Sequence, residues 1–141
     1  LEEQVRHGRL EEEAAGCIRQ ADILEFLQCN SGKRMQEAAR KQKLYREQPF
    51  VLGVDAKELY PEEEDGELIL IQGIIDAYFE EPDGLVVLDY KTDKVNNGKE
   101  LAEKYQEQLR YYAKALEQIS GKKVKEKIIY SFTLKKEIYI E

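Results

Sequence analysis

Residues 73–93 read GIIDAYFEEPDGLVVLDYKTD, two apolar runs on either side of the turn signal Glu81-Pro82-Asp83-Gly84. Proline, aspartate and glycine stand in the order that a tight turn favours, so the two runs are predicted to form an antiparallel hairpin. The second run, Leu85 to Leu88, is apolar at every position, which is typical of a central strand covered on both faces. This stretch therefore predicts the middle of a β-sheet.

The segments around the hairpin complete the predicted order of elements. Apolar residues at helical spacing indicate a helix from Leu10 to Ile18, a second short helix capped by Asp22, a third that begins at Ser31, and a long one from Gly98 to Ser120 that Gly121 ends. Strand patterns cover residues 50–54, 68–75, 127–133 and 137–140. Helices, three strands, a helix and two strands predict an α/β fold (α+β mixed), with residues 1–45 helical and residues 46–141 forming a mixed sheet flanked by helices.

Length and composition describe one folded unit, residues 1–141. A chain of 141 residues can bury roughly two-thirds of its surface without a metal or a disulfide to hold it together. No apolar run approaches the ~18 residues that span a bilayer, and two cysteines are too few for a disulfide framework or an iron–sulfur cluster. We therefore expect a cytoplasmic domain with no membrane partner. The chain begins at Leu1 without a methionine, which suggests a fragment of a larger protein.

Charge is distributed unevenly along the chain. The net charge is −7, made up of −10 from Leu1 to Gly84 and +3 from Leu85 to Glu141. An acidic total argues against tight binding of a phosphate backbone, because such binding depends on lysine and arginine. The positive second half is compatible with a nucleic acid on that side, although lysines on an ordinary solvated helix and strand explain it equally well.

The predicted hairpin brings two acidic residues together. If its turn contains an even number of residues, cross-strand partners have residue numbers that add up to 165, so Asp76 faces Asp89. Lys91 lies on the same face as Asp89, because side chains alternate along a strand. Two carboxylates ~5 Å apart repel each other unless a cation or a proton lies between them. The pattern predicts a divalent metal ion, with Lys91 placed to orient an attacking water and to offset charge on a phosphoryl oxygen.

Oxygen ligands with no histidine or thiolate nearby favour Mg²⁺ or Mn²⁺. The alternative is a salt-bridged cluster at the end of a sheet, where an Asp-X-Lys often occurs without a catalytic role. A third signal lies on the long helix, where Gln108 falls within the apolar stripe, and a glutamine there needs a buried partner. Gln108 and Tyr112, four residues apart, are explained if both reach the metal site or DNA; a core tyrosine beside a stray amide is the other reading. The stripe consists of Leu101, Tyr105, Leu109, Tyr112, Leu116 and Ile119.

The three motifs carry a family resemblance. Gly73-Ile-Ile-Asp76, Asp89-Tyr-Lys91 and Gln108-Leu-Arg-Tyr-Tyr112 resemble the motifs of the PD-(D/E)xK nuclease superfamily and, within it, of the RecB-type nuclease domain. Nearly the whole chain is similar to the C-terminal nuclease domain of the larger, AddA-type component of bacterial AddAB-type helicase–nucleases. The resemblance implies a restriction-endonuclease-like core in which Asp76, Asp89 and the backbone carbonyl of Tyr90 bind the metal. It also implies that Lys91 is the catalytic lysine and that Gln108 and Tyr112 form a supporting motif.

The same resemblance implies an activity and its setting. The domain would be a Mg²⁺-dependent exodeoxyribonuclease, with Mn²⁺ as a substitute ion, that hydrolyses single strands during double-strand-break repair and recombination. Its partners would be DNA, a helicase motor of the same parent chain and an AddB-type protein. ATP would bind only to the motor, because this sequence contains no Walker loop or other glycine-rich phosphate cradle.

The resemblance is incomplete at one motif and leaves rival functions open. The family has an upstream Gly-x-x-x-His motif that supplies another metal ligand, whereas the only histidine here, His7, has Glu3 where the glycine would stand. We expect the histidine helix to lie before Leu1, so that this fragment binds metal weakly and cuts DNA slowly. Glu47 matches a glutamate of the family, but its role is not defined by the sequence. The rivals are a nuclease-fold docking or DNA-path module and a stand-alone exonuclease of the same superfamily.

Overall fold

The computed structural model describes residues 20–59 and 67–140. Its helices are α1 (Gln20–Gln28), α2 (Asn30–Arg40), α3 (Ala56–Leu59) and α4 (Gly98–Ser120), and its strands are β1 (Leu44–Asp55), β2 (Leu68–Glu81), β3 (Gly84–Lys91), β4 (Val124–Ser131) and β5 (Lys136–Ile140). The predicted order of elements is confirmed, with the short helix α3 as an addition. The predicted first helix, His7 and the acidic loop lie outside the described residues. Within the described ranges no helix is both long and apolar enough to cross a membrane.

The five strands form one mixed sheet in the order β1-β2-β3-β4-β5. Neighbouring strands are antiparallel except β3 and β4, which are parallel and are connected by α4. Leu85 and Val87 of β3 belong to the core under α4, and Val86 and Leu88 belong to the core under α1 and α2. The predictions of a mixed α/β fold and of a central strand buried on both faces are therefore confirmed.

Helix α4 begins and ends where the sequence predicts. The side chain of Asn97 caps its first turn by accepting a hydrogen bond from the N–H of Glu100 (2.9 Å), and Gly121 ends it in the left-handed conformation, with φ of 72°. Most of the predicted stripe is buried or half-buried against the sheet. Ile119 is the exception at 56% exposure, because it lies in the last turn of the helix, just before the chain turns toward β4.

Two predicted helix caps are wrong. Asp22 lies inside α1, and the N-cap of α2 is Cys29, whose Sγ accepts a hydrogen bond from the N–H of Gly32 at 3.4 Å. Ser31 is held instead by β5, because its N–H donates to Glu137 Oε2 (2.6 Å) and its hydroxyl donates to the same oxygen. A contact between residues far apart in sequence thus decides which residue caps α2.

Strands β1 and β4 begin earlier than predicted. β1 begins at Leu44 rather than Phe50, and β4 begins at Val124 rather than Lys127. β1 continues through Pro49, which has no N–H to donate to a partner strand. A proline is tolerated there because β1 is the first strand in the order of the described sheet and pairs only with β2.

β1 and β2 change the face of the sheet to which they present apolar residues. Ile75 lies in the core under α4, whereas Ala77 and Phe79 lie in the core under α1 and α2, although regular alternation would put all three on one face. The register pairs residue 46 with 77 and residue 48 with 75, so Glu47 and Asp76 share the level at which the alternation breaks. Glu47 has a positive φ of 50°, the kind of local distortion that turns a strand over.

The closed end of the β2–β3 hairpin carries the turn-end cluster, which consists of Arg34, Glu81, Asp83, Lys125 and Glu126. Arg34 of α2 donates two hydrogen bonds to Glu81, at 2.8 and 3.0 Å, and a third to Glu126 at 2.8 Å. Lys125 Nζ lies 2.7 Å from Glu81 Oε1 and also pairs with Asp83. The hydrogen bonds from Arg34, followed by those from Lys125, lower the pKa of Glu81 to about 2. The cluster joins α2, β2 and β4.

Candidate active site

The open end of the same hairpin meets α4 and carries the predicted residues. Asp76 lies on β2, Asp89 and Lys91 lie at the end of β3, and Gln108 and Tyr112 lie on α4. We call these five residues the open-end site. The β2–β3 register runs from the pair of residues 81 and 84 to the pair of 77 and 88. All of these pairs add up to 165, as the sequence predicts, and the next level of the same register is that of Asp76 and Asp89.

Asp76 is held beside the last paired residues of β3. The N–H of Tyr90 donates a hydrogen bond to Asp76 Oδ2 at 3.0 Å. Burial, followed by the charge of Asp89 and a hydrogen bond with it, raises the pKa of Asp76 to about 8. The Tyr90 bond and the charge of Lys91 oppose this rise without cancelling it. The two carboxylates therefore share one site and do not readily ionise together.

Asp89 is almost fully buried, with 2% of its surface exposed. Lys91 Nζ lies 2.8 Å from Asp89 Oδ2, which makes a close ion pair. This oxygen nevertheless has no aligned hydrogen-bond donor among residues 20–59 and 67–140. A buried carboxylate usually has its oxygens satisfied, so Asp89 retains the capacity to bind a further positive group.

Lys91 connects the strand to the helix. Its Nζ donates a hydrogen bond to Gln108 Oε1 at 3.0 Å, so the buried partner that the glutamine requires is the lysine. The centre of the Tyr105 ring lies 3.9 Å from the same Nζ. The side chain of Lys91 is 15% exposed. The ammonium is thus held by three groups in a site that is largely shielded from water.

Tyr112 packs beside the acidic pair. Burial and the negative charges of Asp89 and Asp76 raise its pKa above the ordinary value for a tyrosine. Its ring meets the ring of Phe50 edge to face, with the centres 5.4 Å apart. Gly73 makes this packing possible, because a Cβ at that position would lie 2.9 Å from Phe50 Cε1.

Sequence reasoning placed Tyr105 only among the apolar residues of the stripe. The structure also gives it a polar role, since its hydroxyl donates a hydrogen bond to Asp93 Oδ2 at 2.9 Å. Lys104 Nζ donates to the same oxygen at 2.7 Å. The signal in the sequence was its position three residues before Gln108, which puts both side chains on the same side of a helix.

Two predicted elements of the site have a limited structural counterpart. Glu47 lies level with Asp76 on the neighbouring strand β1 and is half-buried. No cluster of three or more histidine, cysteine, aspartate or glutamate side chains suited to a metal ion occurs in the described ranges. The side-chain ligands that these ranges offer are therefore Asp76 and Asp89.

Comparison with known proteins identifies the class to which this fold and site belong. The family model described as the PD-(D/E)XK nuclease superfamily matches residues 2–139. The chain belongs to this superfamily, as its three motifs predict.

Several curated relatives are more specific, and all are large (AddA-type) components of an ATP-dependent helicase/nuclease. The chain is 40% identical to the one from Lachnoclostridium phytofermentans, over 95% of this chain and 12% of that protein. Its identity to the proteins of the same name is 45% for Acetivibrio thermocellus, over 94% of this chain and 11% of the relative, and 42% for Clostridium novyi, over 100% and 12%. The predicted similarity to the nuclease domain of an AddA-type protein is confirmed. The chain spans 11–12% of the length of these relatives.

Proposed function

We propose that this domain is a divalent-metal-dependent deoxyribonuclease that hydrolyses phosphodiester bonds of single-stranded DNA. The observation that carries the proposal is the buried pair Asp76 and Asp89 with the single ammonium of Lys91 beside it. Membership of a nuclease superfamily supports the reaction class.

The names of the relatives support the setting of this activity. The domain would act within an ATP-dependent helicase–nuclease in double-strand-break repair and recombination. A helicase motor of the same parent chain and a second, AddB-type protein would deliver single strands to it. ATP would be used by the motor alone, in the bacterial cytoplasm.

The residues of the open-end site fit a hard divalent cation. Burial and mutual repulsion disfavour two ionised carboxylates, and a cation between them removes that penalty. Every candidate ligand is an oxygen, which favours Mg²⁺ or Mn²⁺. The carbonyl of Tyr90 is a suitable third ligand, because N–H and C=O of one residue leave an extended strand on the same side and this N–H already donates to Asp76.

A divalent ion held by these ligands supplies a Lewis acid that makes water a nucleophile at neutral pH and draws charge from the phosphate. The protein side chains would then position the reactants. Lys91 would orient the attacking water and offset the negative charge on a phosphoryl oxygen. Gln108 keeps the ammonium in place, and Tyr112 closes the site on the side of α4. Water adds to phosphorus as the bond to the 3′ oxygen breaks, so no covalent protein intermediate is required.

The proposal is tested by cleavage of end-labelled single-stranded DNA by the intact protein with Mg²⁺ or Mn²⁺. Lys91→Ala is expected to lower kcat by roughly 10²- to 10³-fold, the usual cost of removing a group that stabilises transition-state charge. Lys125→Ala, which removes a lysine from the turn-end cluster, is the matched control and should cleave like the wild type. Wild-type activity in Lys91→Ala would refute the proposal.

Calorimetric titration with Mn²⁺ separates the nuclease from the rival docking module. Binding that Asp89→Ala abolishes would support the nuclease. A protein that neither binds Mn²⁺ nor cleaves DNA would instead favour a docking or DNA-path role for the fold.

A further inference from the structure

The ring of Tyr105 contacts Lys91 in a way that neither the ion pair nor the bond to Gln108 explains. Its centre lies 3.9 Å from Lys91 Nζ, well inside the ~6 Å within which a cation and an aromatic ring attract each other. Because Lys91 is mostly buried, little water screens the contact. An ammonium has three N–H donors, and this one has three neighbours, Asp89, Gln108 and the ring.

Tyr105 is itself fixed in position. Its hydroxyl donates to Asp93 Oδ2 at 2.9 Å, and Lys104 Nζ donates to the same oxygen at 2.7 Å. Asp93 follows Lys91 by two residues, so this bond ties α4 to the chain immediately after β3. A phenol that donates to a carboxylate has a more electron-rich ring, which strengthens the attraction of its face for a cation.

The ring affects the charge of Lys91 differently from Asp89. A carboxylate compensates an ammonium directly, and Asp89 cannot compensate it fully while it also binds a metal ion. An aromatic face attracts the ammonium without accepting its proton. Held by the ring and by the amide of Gln108, Lys91 would keep its full positive charge available for a phosphoryl oxygen.

We infer that Tyr105, fixed by Asp93, is a positioning residue that keeps the Lys91 ammonium at the site when Asp89 is engaged by the metal ion. The inference rests on the proposed function, because only there does Lys91 have a catalytic task. Tyr105 acts through Lys91 and has no contact with DNA in this proposal. Its removal is therefore expected to change kcat rather than the binding of DNA or metal.

The first test compares Tyr105→Leu with Tyr111→Leu in the intact protein on single-stranded DNA. A cation–π contact contributes about 0.5–2 kcal/mol, so kcat should fall roughly tenfold in Tyr105→Leu, with KM for DNA and Kd for Mn²⁺ unchanged. Tyr111 is a matched control, because its ring packs against the same core of α4 but lies beside Arg110. Tyr111→Leu should retain the wild-type kcat.

The outcome separates this inference from the proposed function. Wild-type kcat in Tyr105→Leu overturns the inference if Lys91→Ala abolishes cleavage in the same assay. If Lys91→Ala also cleaves normally, the proposed function fails and the inference fails with it.

A second test does not depend on whether Tyr105→Leu folds. Tyr105→Phe and its mono-, di- and trifluorinated analogues keep the shape of the ring while they weaken the negative charge of its face step by step. We expect log kcat to fall steadily with the number of fluorine atoms. Equal kcat values across the series would overturn the inference.

Discussion

The two ends of the β2–β3 hairpin bury acidic side chains in opposite ways. At the turn end, Glu81 has two cationic partners, Arg34 and Lys125, and its pKa is lowered to about 2. At the open end, Asp76 and Asp89 share one lysine, and the pKa of Asp76 is raised to about 8. The same pair of strands thus carries acids with a full set of cations at one end and acids that lack one at the other.

The difference shows which charged cluster is suited to chemistry. Acids that are already paired with cations stabilise the fold and have little capacity to bind another ion. Buried acids with too few cations cost stability, and a fold keeps them where a ligand completes the set. The turn-end cluster is therefore a structural network, and the open-end site is the candidate for metal binding.

The largest predicted effect contrasts Asp89→Asn with Glu81→Gln. A divalent ion contributes several kcal/mol of transition-state stabilisation, so Asp89→Asn should lower kcat/KM by about 10³-fold. It should not lower thermal stability, because it removes a repelling buried charge. Glu81→Gln should do the reverse. The contrast is broken if Asp89→Asn unfolds the protein or if Glu81→Gln abolishes cleavage.

The second prediction concerns the stability of the turn end. Arg34→Ala leaves Glu81 and Glu126 without their arginine and should lower the free energy of unfolding by about 2 kcal/mol, less than the 3–5 typical of a fully buried pair because both partners are partly exposed. Arg40→Ala on the same helix removes only an exposed pair with Glu37 and should change the free energy by under about 0.5 kcal/mol. Denaturant titration measures both variants, and equal losses would contradict the prediction.

The third prediction tests the packing behind the open end. Gly73→Ala forces a Cβ against the ring of Phe50 and should cost about 1–2 kcal/mol, together with some cleavage activity as Tyr112 shifts. Gly53→Ala on β1 is the control, because its Cβ would meet only the flexible side chain of Leu68, at 3.1 Å. Unfolding curves that show no difference between the two variants would argue against a tight packing role for Gly73.

The smallest predicted effect is a pH dependence of opposite sign at the two ends. The pKa of Glu81 is lowered from 4.5 to about 2, so its contribution to stability is present above pH 4.5 and is lost as pH falls toward 2. The pKa of Asp76 is raised from 3.8 to about 8, so the metal-free protein is stabilised below pH 3.8 and loses that stability as pH rises through 8. Glu81→Gln should remove the acid component and Asp76→Asn the alkaline one. Denaturation midpoints across pH that are unchanged by these variants would contradict the assignment.

Much of this architecture could be predicted because local signals determine it. Turn residues fixed the register of the hairpin, and the spacing of apolar residues together with Gly121 fixed α4. Asp76, Asp89 and Lys91 could be placed near one another because all three lie on that one hairpin. The position of Gln108 inside an apolar stripe already required a buried partner.

The remaining features depend on contacts between residues distant in sequence. Ser31 fails to cap α2 because Glu137, 106 residues away, binds it. The contact between Tyr105 and Lys91 depends on how α4 is rotated against the sheet, which a helical wheel does not specify. The shared level of Glu47 and Asp76 depends on which strand pairs with the other edge of β2.

The reversal of β1 and β2 at the level of Glu47 and Asp76 constrains the length of each strand in two independent segments. Loss of one residue between Ile69 and Ile75 would turn that segment's side chains out of the core under α4, while the segment after Asp76 would keep its orientation. Loss of one residue after Ala77 would instead separate Asp76 from Asp89. Single-residue insertions and deletions are therefore excluded on both sides of this level, and length can vary freely only outside the paired strands.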